Sequence, residues 1–294
     1  MSLTCYRAPT AVADVLTSSP LGGIYESIAS RFRANPMQLT RFQSFGDLFD
    51  HFEIAELTPH IAHVIHKGTQ VAAEFRIQGV IANVFFLSVV HTVQDIGANP
   101  EQLDQSITMI TTGTPDYRLT LWAIANLLAF LQESTGHLAN GSAMIRKATP
   151  RSLTFTNPLL TSEYIVETSA SEMLPDAYDL HHILQHVLSS GRLLYTELNC
   201  IEFKKMDWAD DNRFYIVNPI DPFIFRPGHL IDIAVTFQLV ASADGLYKFL
   251  PRLKSITQIN GQGSQAIAQM QYTRSKNQMH SRDVLSSEDI IDDI

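Results

Sequence analysis

The chain has 294 residues, 45% of them apolar, which is enough to bury a core without disulfide or metal staples. Of the net charge of −9, five acids fall between Asp283 and Ile294; the preceding residues hold 25 acids and 21 bases, which excludes the strongly basic body of a protein held mainly by phosphate contacts. Two cysteines, Cys5 and Cys200, exclude a C-x-x-C metal or redox motif and a disulfide framework, while the polar start and the short apolar run Val80–Val93 predict neither secretion nor a membrane span.

The first half reads mostly as helix. Leu21, Ile24, Tyr25, Ile28 and Phe32 form one apolar stripe over Pro20–Asn35, stopped by Pro36. Phe45–Leu57 gives short helical pieces. Thr58-Pro59 reads as a cap and first-turn proline opening a helix over His60–Lys67, with Gly68 closing it. Val71–Val93 fits a buried helix or two strands equally. Asn99-Pro100-Glu101 predicts a helix through Ile110. Thr114-Pro115-Asp116 predicts the strongest one, with Leu119, Trp122, Ala123, Leu127, Phe130 and Leu131 inward and Gly136 at its end.

After the small, polar stretch Ala139–Pro150 the period moves toward two. Leu153 and Phe155 alternate with polar residues, as do Tyr164 and Val166. A helix over Pro175–Leu188 interrupts, closed by Gly191, before strands at Leu193–Phe203 and Phe214–Val217. Ile231, Ile233, Val235, Phe237 and Leu239 then alternate with Asp232, Ala234, Thr236 and Gln238. Asp244-Gly245 turns the chain and Tyr247–Ile259 returns, so a long antiparallel hairpin with one buried face is expected. Pro251 calls for a bulge or an edge position. The expected fold is therefore α+β, with a mainly helical N-terminal half and an antiparallel β-rich C-terminal half. Its expected organisation is an N-terminal arm (1–19), a helical domain (20–140), a β-rich domain (150–260), and a polar arm with an acidic tail (261–294).

One resemblance is carried by Arg226–Ile259. Gly228, Leu230, Ile231 and Asp232, followed by Leu253, Lys254, Ser255 and Ile256, resemble a hairpin of uncharacterised proteins from mushroom-forming fungi. Those have a Gly-Asp-Leu/Ile-Val-Glu strand and a Leu-Arg-Ser-Ile return. Here His229 stands for the first acid and Asp232 for the second. The resemblance covers about a tenth of the chain, implies no activity, and points only to a eukaryotic or eukaryotic-virus setting.

Three groups of residues could carry chemistry. His60, His63 and His66 are spaced by three, and His182 and His186 by four with Asp179 one turn earlier; on helices such pairs suit zinc. Arg31, Arg33, Arg41, Lys204, Lys205, Arg252 and Lys254 could be gathered into a groove that tracks a nucleic-acid backbone. The tail residues Leu285, Asp289, Ile290, Ile291, Asp292, Asp293 and Ile294 combine charge with apolar anchors for a partner, or for the chain's own basic groove. No nucleophile elbow or phosphate loop is present, and no cofactor or small-molecule substrate is indicated. Only 17% of residues are charged, and so weakly charged a surface fits either burial against other subunits or an ordinary neutral exterior. The expected function is a non-enzymatic, self-assembling structural protein such as a coat, shell or nucleoprotein subunit, homo-oligomeric, inside cells or in a viral particle. The alternatives are a single-strand nucleic-acid binder restrained by its acidic tail, and an enzyme with a histidine-based, metal-assisted site.

Overall fold

Local caps and turn residues set each element, and one sheet collects them. The computed structural model describes residues 12–14, 16–17, 20–86, 100, 103–111, 114–140, 152–166, 170–176, 179, 182–208, 215–242, 245–269 and 272–273. Helix α1 (Leu21–Phe32) buries Tyr25 and Ala29. Ser44 starts α2 (Phe45–His51) with a capping box: its hydroxyl accepts the Asp47 N–H at 3.2 Å and the Asp47 carboxylate accepts the Ser44 N–H at 3.2 Å. The chain then turns directly into strand β1 (Phe52–Thr58), which pairs antiparallel with β2 (Ile61–His66).

The pairing of β1 with β2 overturns the helix expected over His60–Lys67. Thr58 does not cap a helix; its hydroxyl accepts the His60 N–H at 3.1 Å and tightens a hairpin turn. Gly68, at φ 73°, closes another turn, and its N–H donates to Glu53 Oε1 at 3.1 Å. Five successive residues of β2, Ile61 to Ile65, are buried, so the strand shows no alternation. Strand β3 (Phe75–Phe85) occupies the ambiguous apolar run. Strand β4 (Asp104–Ile110) replaces the second expected helix, because Gln105, Ile107 and Met109 face inward on a period of two.

Helix α3 (Thr114–Thr135) lies where predicted and ends at Gly136, φ 70°. It buries Ala123, Ile124, Leu127, Phe130 and Leu131, whereas Trp122, expected inside, is 67% exposed. Then come β5 (Ala139–Asn140), β6 (Ser152–Pro158), β7 (Thr161–Ser162), α4 (Ile183–Leu188) and β8 (Leu193–Leu194). The chain continues through β9 (Glu202–Trp208), β10 (Tyr215–Pro219), β11 (Leu230–Ala241) and β12 (Tyr247–Asn260).

Ten strands form one mixed sheet, with the central order β10-β9-β12-β11-β3-β4-β6. Strand β2 adds to β11, β1 adds to β2, and β5 and β9 pair parallel with β12. A small β7–β8 ladder stands apart. The expected helical N-terminal half is thus corrected: residues before 141 supply β1 to β5, and β3 is inserted between β11 and β4. The expected hairpin is present as β11–β12, with register shifts opposite Leu230–Ile231 and Ala234–Val235 rather than at Pro251. Pro251 falls between the β12 residues paired to β5 and those paired to β9, where its missing N–H costs no ladder bond.

The odd-numbered face of β11 (Ile231 to Leu239) enters the main core with Phe75, Leu127, Phe130, Phe155 and Leu253. Its even-numbered face is buried as well, contrary to the expected single buried face: Asp232, Thr236 and Gln238 are each at most 3% exposed. Arg76 binds the Asp232 carboxylate at 2.6 Å and Gln78 donates to it at 3.2 Å. The sheet curls so that β6 lies against β12.

At one end α1 covers Val80, Leu230 and Ile259, together with Val12 and with Ile267 from a helical stretch over 262–269. Tyr25 ties this end together. Its hydroxyl donates to Gly228 O at 2.8 Å and accepts the Gly263 N–H at 2.6 Å. A Cβ at Gly263 would sit 2.3 Å from Gly228 O, so only glycine fits there. Residues 261–269, expected as a polar arm, therefore pack on the body. Among the described residues no helix is long and apolar enough to cross a membrane.

Candidate functional site

The histidines do not converge. His60 lies in the β1–β2 turn with its ring on Tyr164, centroids 4.3 Å apart. His63 and His66 are on β2, where a separation of three puts side chains on opposite faces. His63 is buried opposite Gln238, and burial lowers its pKa. His182, at φ 55°, precedes α4, and both it and His186 are exposed. Asp179 is no ligand for them: its two carboxylate oxygens accept the N–H groups of Ile183 and Gln185 at 2.7 and 2.9 Å and cap α4. Among the described residues no three His, Cys, Asp or Glu side chains come together as a metal site.

The basic residues are dispersed and mostly engaged. Arg31 and Arg33 lie at the end of α1, and Arg33 pairs with Glu26 and, at 2.7 Å, with Asp116. The neighbouring acids raise the Arg33 pKa further. Arg41 donates to Ala34 O at 3.3 Å. On β9, Lys204 pairs with Glu202 and Lys205 with Asp207 at 2.6 Å. Lys254 reaches Glu197 at 3.6 Å. The tail residues Leu285, Asp289, Ile290, Ile291, Asp292, Asp293 and Ile294 lie outside the described residues.

Two features remain once these groups are placed. The first is β10. It pairs with β9 on one side, and among the described strands nothing pairs with its other edge. All five residues are exposed, including Tyr215 (52%), Ile216 (62%) and Val217 (41%). The next turn adds exposed Phe223 and Ile224, held by the Asp221 carboxylate, which accepts the Phe223 N–H at 2.8 Å. This apolar edge is anchored from beneath. Phe203 of β9 packs between Phe86 and Phe225, at centroid distances of 5.1 and 5.8 Å, and the Ile220 N–H donates to Phe203 O at 3.0 Å.

The second feature is a cleft of about 350 Å³ against the far end of the β11–β12 hairpin. Alternation puts Lys248, Leu250 and Arg252 of β12 on the face that lines it. Segments at the end of β6 and around β7 and β8 form the opposite wall. Arg252 is 2% exposed; its Nε donates to Gln238 Oε1 at 3.3 Å, and its Nη1 is buried with no hydrogen-bond partner. Burial pushes its pKa down to about 10, opposed by the Asp104 carboxylate, so it stays a cation at neutral pH. The sequence marks Arg252 as basic, but nothing local distinguishes it from a surface arginine. Compared with known proteins, the chain matches no family model, no curated protein and no solved structure.

Proposed function

We propose that the chain is a non-enzymatic structural subunit that assembles with copies of itself, inside cells or in a viral particle, and that β10 is the joint. The observation that carries this reading is the exposed apolar edge at Tyr215–Pro219, which rests on the packed Phe203. An open edge presents unpaired N–H and C=O groups to any strand of suitable length, and proteins ordinarily blunt such edges with charge, proline, bulges or cover; here Pro219 lacks an N–H at one end of β10, and Tyr215–Asn218 remain able to pair. Here Ile216 and Val217 stand where a lysine would be protective. Two copies related by a two-fold axis can pair β10 antiparallel with itself, which joins their sheets and satisfies both edges at once. Phe223 and Ile224 flank the strand and extend the apolar area that such a contact covers. The low charge content of the chain, 17%, fits a surface that is partly hidden in an assembly. The nucleic-acid alternative draws less support, because Arg33, Lys204, Lys205 and Lys254 already face carboxylates.

Light scattering during size exclusion, over roughly 1–100 μM protein, tests the reading. The wild type is expected to elute as a dimer or larger species that dissociates on dilution. Ile216→Lys, which places a charge on the edge, is expected to give a monomer with an unchanged circular dichroism spectrum. A wild type that stays monomeric throughout, or a variant that keeps the full assembly, contradicts it.

A further inference from the structure

Strand β10 pairs with β9 without a register shift, from Tyr215 opposite Trp208 to Pro219 opposite Lys204. One residue further on, the Ile220 N–H donates to Phe203 O at 3.0 Å. In an antiparallel ladder, residues whose N–H and C=O both point at the neighbouring strand alternate with residues whose groups point away from it. Counted back from Ile220, Asn218 and Ile216 direct their backbone groups at β9, and Tyr215, Val217 and Pro219 direct theirs to the side on which no described strand lies. Pro219 offers only a carbonyl there.

We propose, resting on β10 as the joint between copies, that the two-fold axis passes through Ile216, so that Ile216 meets its own counterpart and Tyr215 meets Val217 of the second copy. In this register Tyr215 and Val217 exchange N–H···O bonds in both directions across the joint, and Pro219 stays outside the ladder. Ile216 forms a non-hydrogen-bonded pair, whose Cα atoms approach to about 4.5 Å, so two exposed isoleucine side chains cover each other. On the opposite face each Tyr215 ring lies beside a valine, an aromatic and β-branched pair that favours cross-strand contact. The neighbouring registers serve worse. An axis at Val217 or at Asn218 sets a carbonyl, of Tyr215 or of Val217, against Pro219, which has no N–H to give. The axis at Val217 also sets Ile216 against Asn218, whose side-chain amide donates to Asp207 at 3.3 Å. An axis between two residues opposes backbone groups that point outward to groups that point back at β9.

Single cysteines test the register, in the full chain with Cys5 and Cys200 replaced by serine. A disulfide closes only where the two Cα atoms lie within about 7 Å. With the axis at Ile216, Ile216→Cys stands within reach of its counterpart, whereas two copies of Val217→Cys are displaced by two residues along the strand and lie about 8 Å apart. With the axis at Val217 the order reverses. Light scattering in reductant first establishes the assembly of each variant; oxidised glutathione then serves as the oxidant, and non-reducing electrophoresis reads the linked dimer. Ile216→Cys is expected to link at least about tenfold faster than Val217→Cys. Should Ile216→Cys no longer assemble, a mixture of Tyr215→Cys and size-tagged Val217→Cys is expected to give the linked heterodimer, because those positions oppose each other only with the axis at Ile216. Assembled protein in which Val217→Cys links faster, or in which neither Ile216→Cys nor the mixture links, overturns the register while leaving self-assembly in place. A wild type that stays monomeric overturns both.

Discussion

The hairpins β11–β12 and β9–β10 are built from the same residue types, yet they end in opposite environments. Both pair antiparallel, and both carry β-branched and aromatic side chains. Strand β11 lies between β12 and β3, and β2 adds to it further along, so every residue from Leu230 to Val240 is buried. Strand β10 has one neighbour among the described strands, and every residue from Tyr215 to Pro219 is exposed. Strand-forming residues make a strand in either case; burial is set by what the rest of the chain brings alongside. The proposed assembly uses the apolar strand that the described residues leave exposed.

The largest effect that tests this contrast is truncation. Phe237, which packs on Phe75 and stacks on Phe249 at 5.5 Å, fills the main core. Phe237→Ala is expected to cost about 3–5 kcal/mol in urea unfolding, and Ile216→Ala in the monomer less than about 0.5 kcal/mol. Similar costs at the two positions would erase the distinction between the hairpins.

The polar face of the buried hairpin gives the next effect. Burial pushes the Asp232 pKa up to about 6, and the Arg76 charge and the Gln78 and Arg76 hydrogen bonds offset this only in part. A carboxyl with a raised folded-state pKa favours folding when protonated. Its contribution is present below the unfolded value near 3.8 and is lost as pH rises through about 6. The stability of the wild type relative to Asp232→Asn is therefore expected to fall by on the order of 2 kcal/mol between pH 4 and pH 7. His229, held down to about 4 by burial and by Arg226, loses its stabilising effect as pH falls from 6.5, but it is common to both proteins and cancels in the difference. A flat difference across this range would show that the Arg76 pair fully compensates the burial of Asp232.

A smaller effect is expected where the chain closes on α1. Tyr25→Phe removes the hydroxyl that bridges Gly228 and Gly263, and is expected to cost about 1–2 kcal/mol in thermal or urea unfolding. It should also speed amide exchange over residues 262–269. No change in exchange there would mean that the apolar contacts of Ile267 hold the segment unaided.

The long hairpin was legible in the sequence because Ile231 to Leu239 alternate and a glycine, now seen at φ 78° in Gly245, follows them. Helix α3 was legible from its proline start and from Gly136. Strands β2 and β4 were not. A strand buried along its whole length does not alternate, and histidines at 60, 63 and 66 mimic a helical face. Pro59 and Pro100, which can open helices, here stand in or before turns. The strand at Tyr215–Val217 was legible, but its exposure was not, since that depends on β9 joining β12 in parallel and leaving β10 outermost. Arg252 was recognisable as a cation and its burial was not, because that depends on strands β6 to β8 folding over β12.

Amide hydrogen exchange over residues 215–219, compared between dilute and concentrated protein, tests the central claim most directly. If β10 joins copies, these amides exchange at least about tenfold more slowly in the concentrated sample while β11 and β12 are unaffected. Equal exchange at both concentrations, in a sample that scattering shows to be assembled, would place the joint elsewhere on the molecule.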